Sequence, residues 1–371
     1  MRIKAIALAF LFLLAHGCTA NEEEKAANPG KLVEGLDPGA GFFNGEVGPD
    51  GTMHFVYYNN AHPRIEHADN MSGTWSATVV DADHIESYRS SMDLDANGAV
   101  HIVYFASVGS GDVLRYATNK TGNWKKEPVV DATSFCDPSI TVAKDGTPHI
   151  SYCKYDMGGP SSGRAAVHYG VRNADGTWST EVIDTSAIAQ QTFVLDTSIF
   201  VDPNGVPSIL YTYLNSDATV SLKFARKDAV WTKETVDEIG EQMSGAIAPD
   251  GTIGVVYMHN DEVRCATYRS GTWTQETVKK SIEQELRLPP VVTTVDAASN
   301  FHALFGDRTI NDQGFENYDL DYVTNTNGSW AVEVMANGPR DESAVAIGVD
   351  GQGKVQMYYN DQEARLRLIV K

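Results

Sequence analysis

KLVEGLD, residues 31–37, is the closing phrase of a unit whose beginning has not yet occurred in the chain. Later copies of the phrase follow a tryptophan, as in WSTEVID (178–184) and WTKETVD (231–237). The tryptophans Trp75, Trp124, Trp178, Trp231, Trp273 and Trp330 are 49, 54, 53, 42 and 57 residues apart, so a fixed unit carries loops of varying length. Each unit reads as an apolar strand, a turn such as PDGT, a strand such as HFVYY or HISYC, a loop, a strand such as LRYAT, a short turn, and the tryptophan strand ending E-x-V-D. Two columns recur. The second strand carries Tyr57, Tyr104, Tyr152, Tyr211, Tyr257 and Tyr359, with Phe305 in the remaining copy, and the fourth carries Glu127, Glu181, Glu234, Glu276 and Glu333.

Four short strands per unit, Gly-rich turns and a large aromatic in each describe the blade of a β-propeller. One such sheet cannot bury both faces, whereas blades packed around an axis can, with the Trp and Tyr columns forming the layers between them. The second strands number seven, which predicts an all-β, seven-bladed propeller of four antiparallel strands per blade. Its blades fall at about 42–82, 90–132, 137–185, 196–238, 243–280, 290–336 and 343–371. The seventh copy ends after three strands. KLVEGLD supplies the fourth, with Lys31, Glu34 and Asp37 at the spacing of Trp178, Glu181 and Asp184. The leading segment then closes the ring and removes an exposed sheet edge.

Residues 1–17 read as an export signal: Arg2 and Lys4, then an apolar run from Ala5 to Leu14 that is too short to span a bilayer. AHGC resembles a bacterial lipobox, although Ala15 holds the place usually taken by leucine. The resemblance implies lipidation at Cys18, with residues 18–30 as a polar tether and an outer-membrane or cell-surface location; cleavage after Ala20 is the alternative. From Cys18 onward the chain carries 27 basic and 49 acidic residues. So acidic a chain is a poor partner for nucleic acid or anionic lipid, which leaves the lipid anchor as the expected membrane contact. A monomer is expected.

Residues present in most blades serve the blade, and singular ones are candidates for a ligand. His54, His101, His149 and His302 share one second-strand position and are spread around the ring. They read as structural hydrogen-bonders and not as ligands of one ion. DLDANG (93–98) has Tyr104 where a calcium loop needs Glu. Glu46 and Asp93 hold one place on neighbouring innermost strands, candidates for a structural cation or for a raised pKa. No other cofactor is expected. Cys136 and Cys153 flank one hairpin as a disulfide candidate, and Cys265 reads as a buried thiol.

The longest connections are predicted to emerge on one face, where variable loops on a rigid scaffold commonly bind. That face offers His62, His84, Tyr88, Arg89, Tyr155, Asp156 and Arg164, with Asp307 and Arg308 across the ring. Such side chains can stack on a sugar and bond its hydroxyls, or move a proton beside a uronate carboxylate. The repeat resembles exported bacterial propellers built from D-x-x-G-x-x-H-h-x-Y and G-x-W blades. It is more loosely similar to sialidase-type propellers, but NADGTW (173–178) lacks the serine and one spacer of their Asp-box. The leading expectation is a surface-anchored module that binds a glycan or protein partner. A polysaccharide lyase or glycosidase comes second, and an envelope scaffold third.

Overall fold

The computed structural model describes residues 30–36, 40–48, 50–83, 90–108, 111–131, 138–155, 165–186, 196–280, 291–310, 316–336, 343–361, 363 and 365–371. The signal, Cys18 and nearly all of the tether lie outside them. The described residues form 28 strands and no helix. The strands make seven antiparallel sheets of four, and the innermost strands pack side by side in a closed circuit. This is the seven-bladed propeller that the repeat predicts.

The last sheet runs in the order β1 (Lys31–Leu32), β28 (Leu366–Val370), β27 (Val355–Asn360), β26 (Ser343–Val349). The leading segment therefore closes the ring, but not in the predicted register. Lys31 faces Leu368. That is the place of Glu181, which faces Tyr169 in the third blade, and not the place of Trp178. The segment is displaced by three residues, and only Lys31 and Leu32 are strand. Burial explains the choice. The displacement brings Val33, whose amide donates to Leu366 O, to the buried position of Ile183, and Val33 and Leu36 pack on the cluster around Phe55 and Tyr358. The predicted register would have set Val33 at the exposed position of Thr180.

The tryptophan and glutamate columns tie each blade to the one before it. Trp178 packs edge-on to Tyr116, Trp231 to Tyr169 and Trp273 to Phe224, with ring centroids 5.3–5.4 Å apart. The Trp178 indole N–H donates to Glu127 at 2.9 Å and that of Trp273 to Glu234 at 3.0 Å. Glu127, Glu181 and Glu333 also accept from Arg172, Lys227 and Lys371 of the following blade. In six blades the first hairpin turns through a glycine at φ between +77° and +84°, a backbone region that side-chain-bearing residues rarely adopt; blade six uses Ser299 at +65°.

A β-bulge recurs in the outer strand of six blades. It doubles one step, so that two successive side chains turn inward. Val80 and Asp81 are both buried, as are Val236 and Asp237. Strict alternation would have exposed one of each pair. The bulge is what aims the aspartate of E-x-V-D at the next blade.

Candidate functional site

The strand order brings the strand ends that flank 82–89, 132–138, 156–164, 186–196 and 281–291 to one face, as predicted. FGDRTINDQGFEN (305–317), which the repeat pattern sets between the second and third strands of blade six, is largely strand: it belongs to Phe301–Ile310 and Glu316–Thr324, with 311–315 between them. Among the sequence-predicted residues, His84, Tyr88, Arg89, Asp156, Arg164 and Cys136 lie outside the described residues. Tyr155 ends its strand on this face and Arg308 lies two residues before the end of its own, Phe301–Ile310; their side chains are not described. His62 is exposed in the turn after the first blade's second strand, its amide donating to Asn59 Oδ1. Cys153 is buried in the core between blades three and four. Cys265 is a free, fully buried thiol, and burial pushes its pKa up.

Directly beneath the long connections lies a belt of charged junctions. At the first, Asp81 accepts from the Tyr104 hydroxyl at 2.7 Å, from Arg115 at 2.6 Å and from Lys126 at 2.5 Å. At the third, Asp184 accepts from Tyr211 at 2.9 Å and Lys233 at 2.8 Å, with Lys223 at 3.8 Å. At the fourth, Asp237 accepts from Tyr257 at 2.8 Å and Arg264 at 3.0 Å, beside His259. Burial pushes the Asp81 and Asp237 carboxyls up. Hydrogen bonds from the tyrosine, the cations and the local backbone outweigh it and hold both below the usual range.

The columns co-vary where the aspartate is missing. In the second blade the aspartate comes one residue later in the chain, so the same bulge sets Val130 at this place and Asp131 is exposed. The facing blade then has His168 where blades two, four, five and seven carry Arg or Lys, stacked on Tyr152 with ring centroids 5.0 Å apart.

The junction between blades five and six is inverted. The outer strand carries Lys279, the third strand carries Asp321, and Phe305 replaces the tyrosine. Lys279 bonds Asp321 and also Asp307, at 2.7 Å. Both aspartates are almost completely buried, and each keeps a buried carboxyl oxygen without a hydrogen-bond partner. Burial raises Asp321, Lys279 opposes it, and the neighbouring Asp307 and Asp319 add to it; the outcome is about 6. Asp307, a ligand-binding candidate in the sequence, is thus bonded to Lys279 inside the blade junction beside Asp321, two partners that sequence reasoning did not foresee.

Around the central channel the innermost strands present a free edge, whose N–H groups need acceptors. Side chains of the preceding blade supply them. Asn44 accepts from Met92 N at 3.1 Å, Ser91 from Ile140 N at 3.4 Å and Ser139 from Ile199 N at 3.2 Å. Glu46 and Asp93 form a second tier. Glu46 accepts from the Leu94 backbone, and Asp93 accepts from Leu94 N at 2.7 Å and Val142 N at 2.5 Å. The two carboxyls also bond each other. Burial, then the Asp93 charge and hydrogen bond, push Glu46 well above the usual carboxyl range. Asp93 is raised by burial, against the bonds from Val142 and Leu94.

This pair has a directional consequence. Above the unfolded carboxyl pKa of about 4.3 the unfolded chain ionises while folded Glu46 stays protonated, so stability falls as pH rises towards the folded value. Glu46→Gln keeps a carbonyl acceptor and an N–H donor. It is expected to raise the melting temperature at pH 8 and to match the wild type near pH 4. Asp93→Asn leaves one acceptor for two backbone N–H groups and is expected to cost about 1–3 kcal/mol at either pH. Thermal melts of both variants at the two pH values check this.

No protein-family model matches the sequence, and none of the curated proteins matches it. Among solved structures, a protein of unknown function from Dyadobacter fermentans superposes with a TM-score of 0.51 at 11% identity, over 83% of this chain and 98% of that one. AofleA from Arthrobotrys oligospora gives 0.52 at 11%, over 83% and 88%. At such identity the likeness is one of fold.

Proposed function

We propose that the protein is an exported, lipid-anchored binding module that takes a glycan through its long-connection face. The belt beneath that face carries the reading. At the first, third and fourth junctions the aspartate, tyrosine and basic residues nearest the face are bonded to one another across blades. They make a rigid collar under variable connections, the arrangement of a binding scaffold. The signal-like leader and AHGC support export and anchoring at Cys18. A protein partner on the same face is the alternative occupant.

One observation favours a second reading. Asp307 and Asp321 pair a carboxyl raised to about 6 with a second acid, and glycoside hydrolysis uses two carboxyls of separated pKa. Screening the mature chain on a glycan array and by calorimetry tests both. The binding reading expects saturable binding of one glycan class with no change in the glycan after prolonged incubation. Release of reducing ends, abolished by Asp321→Asn, would establish the hydrolase reading instead. Absence of glycan binding together with recovery of one protein partner from envelope extracts would overturn the glycan assignment.

A further inference from the structure

The first blade departs from its repeat at two positions, and both departures converge on one histidine. In blades two, three and six the column histidine bonds a tyrosine of the third strand. The pairs are His101 with Tyr116 at 2.5 Å, His149 with Tyr169 at 2.6 Å and His302 with Tyr322 at 2.6 Å. In blade one the tyrosine place holds His67, and His54 Nδ1 lies 3.1 Å from His67 Nε2. The residue directly across from the column histidine is Thr118, Val171 or Thr324 in those blades and Asp69 in blade one. Asp95 and Asp296 approach the Nε2 atoms of His101 and His302 at 3.7 and 3.5 Å. Blade one has Gly48 at that turn position. Its carboxylate has moved to the end of the third strand.

We propose that His54, His67 and Asp69 form a binding site for one first-row divalent metal ion, with Zn2+ as its physiological occupant. One ligand atom from each residue lies within 4.8 Å of the others. Two nitrogens bound to one tetrahedral zinc at about 2.0–2.1 Å stand about 3.3 Å apart, close to the separation seen here. Imidazole and carboxylate suit Zn2+ and its first-row neighbours and are a poor set for Ca2+ or Mg2+, which take oxygen ligands. Both imidazoles are only 4% exposed, so protein packing fixes the pair in place. The Asp69 side chain is 24% exposed and 4.0 Å from His67 Nδ1, so solvent reaches the site from that side and can supply the fourth ligand. The Trp124 ring, centred 5.5 Å from the His67 ring, covers it from the next blade. The site lies on the short-turn face, away from the face proposed to bind glycan, and would pin the second and third strands of the first blade together.

His67→Tyr recreates the pair found in the three other blades, so it should fold and serves as the decisive variant. The chelator-treated full chain is titrated with Zn2+ by calorimetry and with Co2+ by visible absorption. The expected result is one equivalent per chain, with a tetrahedral Co2+ spectrum and a metal-dependent rise in melting temperature. His67→Tyr should weaken binding by roughly 100-fold, Asp69→Thr by roughly 10-fold, and His149→Gln not at all. Absence of saturable binding, or binding that His67→Tyr leaves unchanged, would overturn the assignment. Loss in His149→Gln alone would do the same, by placing the ion elsewhere.

Discussion

Lys279→Asp is expected to destabilise the fold by about 3–5 kcal/mol, and adding Asp321→Arg is expected to recover most of the loss. The single change sets a third acid against Asp307 and Asp321, both of which are buried and share the one lysine. The double change puts an acid on the outer strand opposite a guanidinium on the third strand, the polarity found at Asp81–Arg115 and Asp237–Arg264. Those arginine side chains are 17% and 24% exposed, so a guanidinium at this column keeps contact with solvent. Urea midpoints for both single variants and the double variant form a double-mutant cycle. A double variant no more stable than the sum of the single losses would mean that the junctions are not interchangeable.

Asp81→Ala is expected to cost a similar amount, about 3–5 kcal/mol at pH 7, because it leaves Arg115 without its carboxylate, leaves Lys126 with Asp83 alone and removes the acceptor of the Tyr104 hydroxyl. The effect has a sign in pH. Asp81 is depressed in the folded state, so its contribution is full above the unfolded aspartate pKa of about 3.9 and is lost as pH falls through the folded value. The gap between wild type and variant should narrow between pH 5 and pH 2. Asp131→Ala is the control. Asp131 comes one residue later, seven after Trp124 where Asp81 is six after Trp75, so it lies past the junction and exposed, and its removal should change stability by no more than about 0.5 kcal/mol. Urea unfolding at the two extremes of pH separates these cases.

The contrast between Asp81 and Asp131 shows where the sequence was readable. Columns of Trp, Tyr and Glu announce themselves because each blade repeats the same packing problem, and the blade count follows from them. The bulge is silent, because an extra residue leaves the amino-acid pattern intact while shifting which side chains face inward. The same difficulty affects KLVEGLD: its E and D match the motif spacing, but burial of Val33 and Leu36 sets the register. The Lys279–Asp321 inversion left a trace in ETVKK, where other copies end in aspartate, but it becomes a pair only when the third-strand column is aligned beside it. His67 likewise stands out once the tyrosine column is seen in space.

The long-connection face was read from topology alone. No repeat column constrains His84, Tyr88, Arg89, Asp156 and Arg164, because they sit in connections whose sequences differ in every blade.

Cysteine trapping tests most directly whether the leading strand seals the ring. With Lys31→Cys and Leu368→Cys, oxidation of the folded chain followed by peptide mapping should yield a disulfide-linked peptide joining positions 31 and 368, which face each other across β1 and β28. Lys31→Cys with Lys371→Cys, the pairing implied by the unshifted repeat, should yield none. Cross-linking of the second pair and not the first would overturn the register, and a leading segment that cross-links to neither position would contradict closure of the ring itself.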